Sequence, residues 1–155
     1  MKKNYIAIII IASIVMIFTT VAPVTLFFGG LIYEISSGIS AEIDIDSYRL
    51  CKDKDGKDII IIKYLLKNEG KEPTALFYEG DFCTYQNGIG LTEYVDELPP
   101  DCNYDPEDQY KNIKSGKEYY AEIAYLLESL ENDVEVEVND YGFFDRKKGK
   151  VFRIN

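Results

Sequence analysis

The 155-residue chain contains no histidine and no tryptophan, and only three cysteines and two methionines. Without histidine there is no His-based triad, no imidazole general base and no imidazole metal ligand. A cysteine nucleophile ordinarily draws on a histidine partner, so a thiol hydrolase is disfavoured too. The cysteines, Cys51, Cys83 and Cys102, are far apart and make no C-x₂₋₄-C step. Structural zinc needs such clustered thiolates, so neither a metal nor a cofactor is expected. Basic residues are outnumbered, 17 Lys and Arg against 27 acids. The formal charge of −10 falls to −12 once Lys2 and Lys3 are set aside. That balance argues against nucleic acid as a partner and against adhesion of the domain body to anionic lipid. Solubility is its plainest explanation.

Charge is missing altogether between Ile6 and Tyr33. A bilayer core needs about 20 apolar residues as a helix, so this run is long enough to span one with tilt. Lys2 and Lys3 precede it, which favours an N-terminus on the cytoplasmic side and an exported C-terminal part. The run is longer than the apolar region of a cleaved signal, and no A-x-A site ends it. An uncleaved anchor over 1–33 is therefore the expectation, with residues 6–33 in the bilayer. The alternative is cleavage at Ser40-Ala41 and secretion. Residues 34–41 read as a polar linker and 42–155 as one exported domain. Outside the cytoplasm two of the three cysteines can oxidise. The sequence leaves three pairings open; Cys83–Cys102 is preferred, because it would tie a long loop to a strand.

Past the linker the pattern has period two. Ile43 and Ile45 share one strand face, and Tyr48 and Leu50 continue it with a phase shift that predicts a bulge. Asp53 to Lys57 is a turn in which Gly56 supplies a positive φ. Its D-x-D-G opening echoes a calcium loop, but an apolar strand follows at once, so the hairpin reading is preferred. Ile60, Ile62, Tyr64 and Leu66 form a wholly apolar face. The stretch from Thr74 to Gln86 reads as an irregular strand region, Asn87-Gly88 as a hairpin turn, and Ile89 to Val95 as its return. Tyr119, Ala121, Ile123 and Tyr125 alternate in a further strand, a helical turn is expected over 126–132, and Val134, Val136 and Val138 alternate with glutamates. The chain ends in an expected hairpin from Phe143 to Phe152, turned at Lys147-Lys148-Gly149. Seven or eight short strands with turns between them imply an all-β sandwich or barrel.

The D-x-D-G-K run, the apolar strand that carries Tyr64 and ends at Asn68, Tyr85 to Gly88 with Leu91 after it, Ile113 to Gly116, Ala124 to Leu127 and the closing V-E-V-E-V resemble, in order and spacing, the domain-of-unknown-function family 5067 of Gram-positive surface and secreted proteins. The resemblance implies an immunoglobulin-like antiparallel β-sandwich, here behind one N-terminal transmembrane helix. It implies no catalytic residue. Many relatives carry a lipobox cysteine and this chain does not, which implies a different anchor.

Asp96 to Asp108 holds three prolines and six acids and reads as a loop. Tyr94, Tyr104 and Tyr110 flank it, and tyrosine offers area together with a hydroxyl for protein or carbohydrate contact. The candidate binding residues are therefore Tyr94, Asp96, Glu97, Asp101, Tyr104, Asp105, Asp108 and Tyr110. Tyr64, Tyr85 and Tyr125 are read as core. Arg146, Lys147, Lys148, Lys150 and Arg153 read as a solvated edge hairpin whose lysines block edge pairing. With no catalytic set, the expected role is non-enzymatic binding of a protein or cell-wall partner at the cell surface. Two alternatives are an inhibitor or immunity protein against a toxin or hydrolase, and a carboxylate-based enzyme acting on glycans.

Overall fold

Alternation beyond residue 40 becomes seven antiparallel strands in a computed structural model, which describes residues 41–141 and 147–154. In chain order they are β1 (Ala41–Lys52), β2 (Asp58–Asn68), β3 (Gly80–Gln86), β4 (Ile89–Gly90), β5 (Glu118–Leu126), β6 (Val134–Asp140) and β7 (Lys147–Phe152). One sheet has the order β1-β2-β5 and the other β4-β3-β6-β7. In the constant-type immunoglobulin order the first, second, fourth and fifth strands share a sheet. Here the fourth pairs with the third instead.

The core lies between the sheets. Ile43 of β1, Ile60, Ile62, Tyr64 and Leu66 of β2, Ala121, Ile123 and Tyr125 of β5, and Val134, Val136 and Val138 of β6 are all buried there. Each fully buried Ile, Leu or Val contributes roughly 1.5–3 kcal/mol against leaving it in water. Tyr64 and Tyr125 fill the core as their positions predict. Tyr85 is only half-buried, on the other face of β3 from Thr84 and Gln86.

The expected bulge is present: the β1–β2 register shifts between Ile45 and Ser47, leaving Asp46 unpaired in the ladder. Both turns hold as well. Asn87 and Gly88 have φ of 54° and 74°, the left-handed pair of a tight hairpin. The Asp53 carboxylate accepts the amides of Asp55 and Lys57 at 2.9 and 2.8 Å, which makes it the organiser of the β1–β2 turn.

Four further expectations change. The 126–132 segment holds no helical turn. It is organised by the side chain of buried Gln86, which accepts from the amides of Glu128 and Ser129 and donates to the carbonyls of Ser129 and Asn132. Lys147-Lys148-Gly149 is not a turn but the start of β7, paired with Asn139, Val138 and Glu137. Lysines at a strand edge remain compatible with pairing when their heads find acids: Lys148 lies 2.6 Å from Asp44 and 3.2 Å from Glu42 on β1, across the sandwich. Third, the return expected over Ile89 to Val95 forms strand only at Ile89–Gly90. The chain then crosses to the other sheet, where Glu93 pairs with Tyr125 in an isolated bridge and the Tyr94 amide bonds the Ala124 carbonyl at 2.8 Å. Fourth, the irregular strand expected from Thr74 starts only at Gly80, after a short 3₁₀ turn over Leu76–Tyr78.

The anchor expected over 1–33 lies outside the described residues, as does the linker up to Ser40; Ala41 already begins β1. The start of the expected final hairpin, with Phe143 and Arg146, lies outside them too. Among the described residues no helix is long and apolar enough to cross a membrane.

Candidate functional site

Four consecutive isoleucines, Ile59 to Ile62, put apolar side chains on both faces of β2. Ile60 and Ile62 meet the inter-sheet core. Ile59 and Ile61 point the other way and are equally buried, so something must cover the outer face of the first sheet. The cover is the acidic segment. Cys102 is buried against Ile59, Ile61 and Ala124, with Cys51, Tyr94, Leu98, Tyr104 and Leu126 packed around them. Two short 3₁₀ turns, Pro100–Cys102 and Pro106–Tyr110, shape it, each with proline at its start, where the missing N–H costs nothing.

Arg49 fixes the segment in place. Its Nε and Nη2 donate to the Cys102 carbonyl at 3.2 and 3.1 Å, and Nη2 also reaches the Asn103 carbonyl at 2.8 Å. The same guanidinium forks onto both Glu122 carboxylate oxygens. That pairing raises the Arg49 pKa further. Tyr104 completes the attachment by accepting the Ala124 amide at 3.3 Å, and burial pushes its phenol up to about 12.

Between this docked segment and the exposed part of the β2–β5 face lies an open groove of about 560 Å³. Lys63, Tyr120 and Glu122 form its floor, and Tyr104, Asp105, Asp108 and Lys111 its wall. Lys63 and Glu122 are direct cross-strand partners. The Lys63 ammonium sits 4.2 Å over the Tyr120 ring, a cation–π contact at the solvent edge. Opposite, Lys111 bridges Asp105 at 3.1 Å and Asp108, and Tyr119 donates to Asp108 at 3.0 Å. Lys111 holds the Asp105 carboxyl below its ordinary range, and Asp108 raises the Lys111 ammonium. The result is a polar trough of alternating charge with two tyrosine surfaces.

Of the eight residues expected from the sequence, Tyr104, Asp105 and Asp108 line this groove. Tyr94 does not: it packs beneath the segment, its hydroxyl 3.5 Å from Asp53. Asp96, Glu97 and Asp101 are off the groove lining. Tyr110 joins a separate aromatic patch, 4.9 Å from Phe77. Sequence reasoning missed Lys63, Lys111, Tyr120 and Glu122. Lys63 and Glu122 were legible as charged residues on the outer positions of apolar strands. Nor does the structure bring the expected Cys83–Cys102 pair together: Cys83 is on β3 of the other sheet, opposite Glu137, and all three thiols are free. Among the described residues no group of three or more acidic or cysteine ligands is placed to hold a metal.

No protein of curated function matches the chain. A solved structure of a presumed lipoprotein from Staphylococcus aureus subsp. aureus NCTC 8325 is similar at 19% identity and a TM-score of 0.55, covering 75% of this chain and 85% of that one. At that identity the likeness is one of fold. Residues 37–140 match the family described as Domain of unknown function (DUF5067). That span is more than half of the chain and takes in the first sheet, the groove and all of the second sheet but β7, so the chain belongs to the DUF5067 family.

Proposed function

We propose that the chain is a membrane-anchored, non-enzymatic binding domain displayed outside the cell, with an immunoglobulin-like sandwich carrying the groove on its first sheet. The observation that carries the reading is the groove itself: a polar trough built by docking one loop on a sheet. Its acids are engaged by Lys111 and by Arg49. Carboxylates committed to cations on both floor and wall serve recognition better than they serve proton transfer, which favours binding over the glycan-hydrolase alternative. Tyr120 and Tyr104 supply contact area with little rotamer entropy, and mixed charge supplies orientation. The fold likeness to a lipoprotein structure and the charge-free run at 6–33 both support a place at the membrane surface.

The test is enrichment of partners from envelope fractions by the full chain, compared with Lys63→Ala/Tyr120→Ala and with Lys54→Gln in the distant β1–β2 turn. The proposal expects a partner held by the wild type and by Lys54→Gln and weakened about tenfold by the groove variant, the size of one or two truncated contacts. Equal capture by all three sinks the site assignment.

A further inference from the structure

Cys102 has a thiol neighbour that sequence spacing did not single out. The bulge at Asp46 sets the phase of β1 so that Arg49 and Cys51 share its outer face, beneath the docked segment. Arg49 grips the Cys102 carbonyl with two nitrogens, only two residues before Cys51. The Cys102 sulfur lies 3.5 Å from the carbonyl of Lys52, the residue after Cys51. Cys51 itself packs against the buried cluster that holds Cys102. Cys83 stands apart on the other sheet.

We propose that Cys51 and Cys102 form a disulfide that locks the groove-bearing segment onto the first sheet, made by exchange with a low-molecular-weight disulfide or with the disulfide form of a thiol oxidoreductase of the cell exterior. The compartment, though not the pairing, rests on the surface reading above. Cys51 is the more exposed sulfur, and Cys102 is only 3% exposed, so Cys51 meets the oxidant first. Its thiolate attacks one sulfur of the incoming disulfide and releases the other as a thiolate. The Cys102 thiolate then attacks the Cys51 sulfur of the mixed disulfide and expels the second thiolate. The two thiol protons end on the released carrier, which takes up the two electrons. Burial and the adjacent Cys102 push the Cys51 thiol up to about 12, so exchange is slow at neutral pH and quickens as pH rises.

The full chain is incubated with oxidised glutathione at mildly alkaline pH, blocked with N-ethylmaleimide, digested without reductant and mapped by mass spectrometry. The proposal expects a linked Cys51–Cys102 peptide pair lacking two hydrogens, with Cys83 blocked, and the same result in Cys83→Ser. Reduction should lower the thermal midpoint by roughly 10 °C, because the link closes a loop of about fifty residues in the unfolded chain. A link through Cys83, or three blocked thiols, overturns the pairing. Blocking in intact cells separates the two claims: a pair that forms with glutathione but is reduced in cells keeps the pairing and overturns the exterior placement.

Discussion

Arg49 does more for the groove than any residue lining it. One guanidinium satisfies two backbone carbonyls of the segment and a carboxylate of β5, a planar fork that lysine cannot reproduce. Arg49→Met should cost about 2 kcal/mol, since partly buried acceptors lose charge-assisted bonds. Urea unfolding reads that loss, and faster amide exchange over 98–104 localises it; slow exchange there in the variant would show that apolar packing alone holds the segment. Gln86 plays the same part at the other end of the sandwich. It is 1% exposed and serves four backbone groups of the β5–β6 connection. Gln86→Leu keeps the volume but orphans those groups, an expected loss of about 2–3 kcal/mol in a urea titration. An unchanged midpoint would mean that water satisfies them as well as the amide does. Gly80 is constrained differently: a Cβ there would lie 2.8 Å from the Asn139 carbonyl oxygen. None of these three roles follows from type or spacing, because each depends on which backbone groups a distant segment brings within reach.

At the scale of elements, β1 and β7 close one edge of the sandwich through side chains rather than a ladder. Glu42 and Asp44 of β1 meet Lys67 of β2 and Lys148 of β7. Lys150 donates to the carbonyls of Ile45 and Asp46 at the bulge, and Tyr48 reaches the Arg153 carbonyl at 2.7 Å. Lys148 lowers the pKa of both Glu42 and Asp44, with Lys67 the second hydrogen-bonding influence on Glu42. Folded values below the ordinary 4.5 and 3.8 mean stability that is complete at neutral pH and is lost as pH falls through the folded values. Because these groups are partly exposed, the Lys148 pairs are worth about 1 kcal/mol together. The urea midpoint should therefore drop between about pH 6 and about pH 3, by less in Lys148→Met than in the wild type; identical drops would place the acid sensitivity elsewhere. Strand patterns were legible where one face is wet, as in β5, β6 and the phase shift of β1. They failed where charge and pairing coexist, in β7, and where the chain changes sheets after Gly90, since no periodicity records which sheet a two-residue strand leaves.

For the whole molecule, the acids mark the 96–108 segment as a loop, but the groove arises only when that loop covers Ile59 and Ile61. The run of four isoleucines was the available sign that β2 is covered on both faces. Which segment supplies the cover is a tertiary fact, set by Arg49 and by the apolar side of a stretch whose composition is mostly polar. The proposed export is the other claim that concerns the whole chain. Protease added to intact cells should remove the β-sandwich, and the same treatment of lysates should cut it no faster; survival in cells with cleavage in lysates would invert the orientation.

The most direct measurement places a photo-cross-linking amino acid at Tyr120, in the groove floor, or at Tyr78, which is 61% exposed on a separate aromatic patch. Irradiation of intact cells should yield a discrete adduct from position 120 that Lys63→Ala weakens. Adducts from position 78 alone would contradict the groove as the binding surface.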